Sequence, residues 1–130
     1  MTKDSMQPGS DFLTPEECAE VDKALLTSHD KFTARVTIYA LRSLKQIAEQ
    51  ANTSIAALES TQIEEWVYQD ASLQKTGDSE FRQFFSQLVI SSLKPLRRIA
   101  RESGIEIEIL AIAQVVAWFE KEAKKKLEKN

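Results

Sequence analysis

The 130-residue sequence has few of the residue types that most catalytic and metal sites need. It contains one Cys and one His, together with three Gly and three Pro. The single Cys18 cannot form an internal disulfide, and the single His29 cannot supply a His or Cys cluster for zinc. The small number of glycines and prolines favours helices over many short strands. The composition therefore predicts an all-α protein that holds no metal ion and no other cofactor.

The sequence also lacks a long hydrophobic run. No apolar stretch approaches the roughly 20 residues that span a bilayer, and the first residues show no basic segment followed by an apolar one. A content of 42% hydrophobic and 28% charged residues is typical of a globular domain. These features predict a cytoplasmic protein that makes no membrane contact.

A repeated apolar pattern is the main positive feature of the chain. The segment from Phe32 to Trp66 matches the segment from Phe84 to Trp118, which lies 52 positions further on, with ten identities and no gap. Nearly all identical residues are apolar and all share one register, which indicates a duplicated helical unit. The two copies differ in charge, because residues 1–70 hold twelve acidic and six basic residues and residues 71–130 hold eight and eleven. We therefore expect the second copy to present a different surface to partners.

The predicted architecture is a helical bundle. An N-terminal helix precedes two tandem, pseudo-equivalent units, each comprising a long helix, a short turn and a second helix. The predicted repeats cover residues 31–70 and 79–127 within a single domain over residues 13–130. Residues 1–12 are expected to form a disordered tail.

Short-range signals indicate where the helices begin. The segment Thr14-Pro15-Glu16-Glu17 combines a hydroxyl cap, a first-turn proline and a capping-box glutamate, so the first helix should begin there and end near Ser28 or His29. Asp30 is expected to cap the long helix over residues 31–51. Thr61 and Glu64 form a second predicted capping box, before a helix that carries Trp66 into the core.

Other residues indicate where helices stop or bend. The first long helix should end at Asn52, in the left-handed backbone conformation, and the second long helix should end at Gly104. Pro95 predicts a kink or a break in that helix, because proline lacks the N–H that the helix needs. Residues 71–78 are expected to link the two copies.

A basic stripe is the strongest candidate for a binding site. Four basic residues of the second long helix are spaced so that they lie within about 100° of arc, opposite the apolar face. Such a line of cations suits phosphates or an acidic protein surface, and the alternative is a solvated helix face. The candidate residues are Lys94, Arg97, Arg98 and Arg101, with Arg42 and Lys45 as counterparts in the first copy.

Ile38 and Ile90 occupy equivalent positions that lean toward the polar side of each long helix. Cover from the rest of the chain is the main expectation. The alternative is a self-association patch in a symmetric homodimer.

The segment from Leu96 to Ile105 resembles the first helix and turn of a helix-turn-helix DNA-binding motif, because an Ile-Ala pair precedes the turn glycine. The segment from Lys45 to Thr53 resembles the same element. The resemblance implies a following helix that enters the major groove with cationic or amide side chains at its start. Glu106 and Glu108 stand at that place and would repel phosphate, which makes nucleic-acid binding the second choice.

The leading hypothesis is a non-catalytic helical interaction or regulatory protein that acts through contacts with a protein of acidic surface. No nucleophile motif, base or orienting acid accompanies Cys18 or His29, so we expect no enzyme activity. A nucleic-acid-binding regulator that uses the basic stripe is the alternative. A third functional class is a protein that binds a small molecule between the two copies, although the sequence shows no group of polar residues that would form such a site.

Overall fold

The structure, a computed structural model, describes residues 13–70 and 79–128, and this part of the chain is helical without any β-strand. The all-α prediction is therefore confirmed. The tail over residues 1–12 and the linker over residues 71–78 lie outside the described residues. The helices are α1 (Pro15–Asp22), α2 (Ser28–Ala51), α3 (Ser60–Gln69), α4 (Ser79–Ser103) and α5 (Ile112–Glu128), with single 3-10 turns at Ile55–Ala57 and Ile107–Ile109.

Helix α1 begins as the sequence predicts. The Thr14 hydroxyl accepts from the Glu17 N–H at 3.2 Å, and the Glu17 carboxylate accepts from the Thr14 N–H at 2.9 Å. The predicted end near Ser28 or His29 is wrong, because the helix stops at Asp22. Leu25, which the predicted helix would have included, then lies 86% exposed. Its N–H donates to the Glu120 carboxylate of α5 at 3.0 Å, a distant contact that no local pattern encodes.

Helix α2 begins one turn earlier than expected. Thr27 is the N-cap, and its hydroxyl accepts from the Asp30 N–H at 3.1 Å, so the assignment of Asp30 as the cap is wrong. Asp30 instead lies in the first turn, where a negative charge suits the helix dipole.

Backbone geometry recurs at the 52-residue spacing where the two long helices end. Asn52 and Gly104 both adopt the left-handed conformation, with φ of 56° and 70°. One residue later, the N–H donates back to the carbonyl of Ala48 at 2.9 Å or of Ala100 at 3.1 Å. A 3-10 turn and a second helix follow at matching positions. The element order thus repeats, whereas the equivalence of the two units as packed bodies stays a prediction.

The helices after these turns also start alike. Gln62 and Gln114 each accept a backbone N–H from three residues earlier, that of Glu59 or Ala111, at 2.8 Å. The predicted Thr61 and Glu64 capping box is wrong, because the cap lies two residues earlier, at Glu59.

Helix α4 is continuous from Ser79 to Ser103 with Pro95 inside it, so the predicted break into two helices is wrong. The carbonyl that loses its helical partner to the proline belongs to Ser91, which is exposed. Water can therefore hydrate that carbonyl. The parts of α4 before and after Pro95 are held together by their packing in the fold.

Among the helices that the structure describes, α2 lies at the centre and contacts each of the other four. From Ala34 to Leu41 every residue is buried, as expected for a helix with neighbours on all sides. Tyr39 packs edge-on against Phe85 of α4 at 5.2 Å between ring centroids, and at 6.5 Å from the Trp66 ring of α3. Trp66, predicted as a core anchor, is half-buried at the edge of this cluster.

The two 3-10 turns are tied to each other. The Glu108 carboxylate accepts from the Ile55 N–H at 2.8 Å, so the second turn supplies an acceptor that the first turn lacks. This contact joins the turns that follow the two long helices.

Candidate functional site

Helix α4 presents an open row of cations to solvent. Lys94, Arg97 and Arg101 are exposed, and no carboxylate among the described residues pairs with them. The opposite face of the same helix buries Leu96 and Ile99, which fixes the direction of the cationic face. We call Lys94, Arg97 and Arg101 the open basic face.

Arg98 does not belong to this open row, although the sequence groups it there. Its guanidinium pairs with Glu102 at 3.0 Å and lies 5.5 Å from the centre of the Trp118 ring. Trp118 donates its indole N–H to the same carboxylate at 3.0 Å. The hydrogen bonds from Arg98 and Trp118 lower the pKa of Glu102. Arg98 therefore connects α4 to α5 and is less free to meet a partner.

The counterpart of Lys94 in the first copy is engaged inside the fold. Arg42 is half-buried, and its guanidinium donates to the two oxygens of Glu17 at 3.0 and 3.3 Å. The Glu17 side chain is only 5% exposed. A bidentate, largely desolvated pair of this kind is stronger than a surface ion pair. Arg42 thus holds α1 against α2.

The counterpart of Arg97 is engaged as well. The Lys45 ammonium donates to the Leu110 carbonyl at 2.7 Å, just after the second 3-10 turn. Partial burial lowers the pKa of Lys45. The residues of the predicted stripe therefore lie in two different environments. Arg42 and Lys45 are covered by α1 and Leu110, whereas the open basic face on α4 is exposed to solvent.

A groove lies where α1, α2 and the segment after the second 3-10 turn meet. Its volume is about 430 Å³, and its lining is largely apolar with charged groups along it. Arg42, Lys45 and Glu17 line it, together with Leu110 and Ile112. Because the charged groups already bond to one another or to the backbone, the groove offers few polar groups that are free to orient a small ligand.

Ile38 and Ile90 have different surroundings. Ile38 is 1% exposed and belongs to the core, so a self-association patch that includes it is wrong. Cover from within the chain, the main expectation, describes this residue. Ile90 is half-buried and packs at the margin of the core.

Tyr39 is a buried polar residue that the sequence pattern did not single out. Its hydroxyl donates to the Asp70 carboxylate at the end of α3. Burial, followed by the contact with Asp70, raises the pKa of Tyr39. The only sequence signal is a tyrosine inside an apolar helical run, and that signal does not identify the partner.

The residues with catalytic potential lie on α1 and α2, whereas the open basic face lies on α4. Cys18 is half-buried on α1, and burial together with the nearby Asp22 charge raises the pKa of its thiol, which reduces the thiolate fraction. His29 is exposed at the start of α2. In the described part of the chain, no three His, Cys, Asp or Glu side chains cluster closely enough to hold a metal ion. Across residues 13–70 and 79–128, no helix has the length and apolar character that a bilayer span requires.

The fold and its surface define an all-helical protein with an open cationic helix face. Residues 13–126 match the family model described as NDH complex assembly factor CRR9, a range that includes all of α1 to α4 and most of α5. The chain belongs to this family. Comparison with curated proteins and with solved structures gives no match.

The family assignment corrects the predicted function. The prediction of a regulatory protein is wrong, because the family is described by its role in assembly, whereas the predicted protein partners agree with such a role. The nucleic-acid-binding alternative is wrong on the same ground. The prediction rested on the absence of catalytic residues, a property that assembly factors and regulators can share, so composition could not separate the two classes.

Proposed function

We propose that this chain is an assembly factor of the NDH complex and that it binds a protein component of the complex while assembly proceeds. The observation that carries the proposal is the family match over residues 13–126, which spans nearly the whole described fold. An assembly factor must recognise a protein partner, and a compact bundle with an open cationic face is suited to that task.

We further propose that the chain acts without catalysis. Its single cysteine has a raised pKa and its single histidine is exposed on a helix end, so neither is prepared as a nucleophile or a base. In this proposal the chain contributes binding energy that holds a component in an assembly-competent state. Such binding must be released when the component is incorporated.

The first test is removal of the chain from its host. Loss of the chain should lower the amount of assembled NDH complex on native gels severalfold, while the transcripts that encode its components stay unchanged. Re-expression of the wild-type chain should restore the complex. A normal amount of assembled complex in the absence of the chain would sink the proposal.

Two further measurements address how the chain acts. On density gradients it should migrate with partial complexes and be depleted from the finished complex, since a permanent subunit would stay with the latter. The variants Cys18→Ala and His29→Asn should restore assembly as well as the wild type does. Failure of either folded variant would contradict the non-catalytic proposal.

A further inference from the structure

Corresponding positions in the two copies differ in what covers them. Arg42 and Lys45 of α2 correspond in sequence to Lys94 and Arg97 of α4, 52 residues later. In the first copy, Glu17 of α1 pairs with Arg42, and the Leu110 carbonyl accepts from Lys45. In the second copy, both cations are exposed, and no described residue pairs with them.

The apolar residues beside these cations differ in the same direction. Ile38 and Leu41 are 1% and 3% exposed beneath the first pair of cations. Their counterparts Ile90 and Leu93 are only half-buried. The cations and the apolar residues at these positions are both more exposed on α4 than on α2, which indicates that α4 lacks the kind of cover that α1 and the segment at Leu110 give to α2.

Helix α1 shows what such a cover consists of. It is a short acidic helix that buries Val21 completely and Glu17 almost completely. These two residues are four positions apart, so they lie on one face of the helix. A second carboxylate, on Asp22, pairs with the buried Arg35 of α2 at 3.2 Å. In α1, an acidic residue followed one turn later by an aliphatic residue thus forms part of what seats the helix on α2.

We propose that Ile90, Leu93 and the open basic face of α4 together dock an acidic amphipathic helix from a protein component of the NDH complex. This inference rests on the proposed function and identifies the surface through which it operates. The partner helix presents Glu or Asp to Lys94, Arg97 and Arg101, and places an aliphatic residue one turn away against Ile90 and Leu93. Desolvation of the cations by the aliphatic contact strengthens the ion pairs.

A second copy of this chain is not the occupant that the structure favours. The only acidic helix of this type that the described residues provide is α1, and α1 is held within its own chain. Leu13 and Val21 are buried there, and Glu17 is already paired with Arg42. Release of α1 to serve a neighbouring chain would break those contacts.

The binding test compares two triple charge reversals in the full chain. Lys94→Glu, Arg97→Glu and Arg101→Glu change the open basic face, whereas Lys124→Glu, Lys125→Glu and Lys126→Glu make the same change in charge on exposed positions of α5. Immobilised wild type is incubated with host extract, and captured NDH components are identified and quantified by mass spectrometry. The α4 reversal should lower their capture at least about tenfold, and the α5 reversal should change it less than about twofold. Circular dichroism checks that both variants keep the wild-type helix content.

A photo-crosslinker then locates the contact. Benzoylphenylalanine replaces Ile90 in one variant and Lys124 in the matched control. The variant at position 90 should yield a crosslink to an acidic helical peptide of an NDH component, and the control should not. A crosslink between two copies of this chain, or one to a peptide without acidic residues, would overturn the inference.

The outcomes separate the inference from the function on which it rests. If the wild type captures NDH components and the α4 reversal captures them equally, the docking surface is wrong and the assembly function stands. Equal losses in both reversals would also overturn the surface, since net charge alone would then explain binding. If the wild type captures no NDH component, the proposed function itself fails.

Discussion

Glu17 links the start of α1 to the packing of α1 on α2. Its carboxylate accepts from the Thr14 N–H and from the Arg42 guanidinium while remaining 5% exposed. One side chain thus completes a local cap and a long-range ion pair. Its removal should cost more than the loss of either contact alone.

Substitution of Glu17 should destabilise the fold in two steps. Glu17→Gln keeps a capping-box acceptor and loses the charge, so we expect the free energy of unfolding to fall by about 1–2 kcal/mol. Glu17→Ala loses both and should cost about 2–3 kcal/mol. The exposed Glu16→Gln is the control, with an expected change within about 0.5 kcal/mol. Urea denaturation measures all three, and equal effects of Gln and Ala at position 17 would show that the capping hydrogen bond contributes nothing beyond the ion pair.

Tyr39 should make stability depend on pH in the alkaline range. Its pKa is raised above the ordinary value of 10.0, so the folded state holds the phenolic proton more tightly than the unfolded state does. The resulting stabilisation is complete below pH 10 and is lost as pH rises above it. Tyr39→Phe should be less stable than wild type by about 1 kcal/mol at neutral pH, and the difference should shrink above about pH 10.

The matched control for Tyr39 is Tyr68→Phe, because Tyr68 is 43% exposed. Urea denaturation at about pH 8, 9, 10 and 11 gives the difference from wild type for each variant. Tyr68→Phe should retain the wild-type dependence on pH. A constant difference between wild type and Tyr39→Phe across this range would contradict the prediction.

At the scale of the helical elements, α2 and α4 both end at a residue in the left-handed backbone conformation, and the two helices use different residues there. Gly104 has a φ of 70°, and a Cβ added to it would meet no atom within 4 Å. The cost of a side chain there is therefore the cost of the backbone conformation alone. Asn52 tolerates the same geometry because its short polar side chain suits the left-handed region.

Substitutions at these stops should follow backbone preference. Gly104→Ala should lower the free energy of unfolding by about 1–2 kcal/mol, and Gly104→Asn, which copies the first unit, should lower it by less. Asn52→Gly should be neutral or stabilise by up to about 1 kcal/mol. Urea denaturation of the three variants gives the order. If Gly104→Ala were as stable as wild type, the left-handed geometry would not be required there.

At the scale of the whole molecule, the two copies share one core. Helix α2 of the first copy contacts α4 and α5 of the second, and Glu108 accepts from the Ile55 N–H across the two turns. The units should therefore unfold together, although the sequence repeats.

The two tryptophans test this cooperativity, because Trp66 lies in the first copy and Trp118 in the second. Trp118→Phe leaves Trp66 as the only tryptophan, and Trp66→Phe leaves Trp118. In each variant, the urea transition followed by tryptophan fluorescence should coincide with the transition followed by helical circular dichroism. A fluorescence transition of Trp118 that precedes the loss of helicity would show that the second copy unfolds independently.

Features that depend on neighbours a few residues apart could be predicted from the sequence. The capping box of Thr14 and Glu17 and the stops at Asn52 and Gly104 are of this kind, because their hydrogen bonds join residues three to five positions apart. The start of α2 shows the limit of this approach. Thr27 and Asp30 are both residue types that cap helices, so the local pattern does not decide between them, and the structure places the cap at Thr27.

The candidate site was predictable in part. Helical spacing alone placed Lys94, Arg97 and Arg101 on one exposed face. The same reasoning could not show that Arg98 is tied to Glu102 and Trp118, since those contacts depend on how α5 packs against α4. Helical spacing also placed Ile38 toward the polar side of α2, and it could not show that the neighbouring helices bury this residue.

The sequence by itself determined that the protein is helical, where its two long helices end and that its pattern recurs after 52 residues, because short-range bonds and apolar spacing decide these properties. Only the tertiary structure decided which basic residues remain open. Arg42 meets Glu17 across 25 positions and Lys45 meets Leu110 across 65, whereas no described residue covers Lys94 and Arg97. Contacts over such separations depend on how whole helices pack, and two copies with one apolar pattern can therefore present different surfaces.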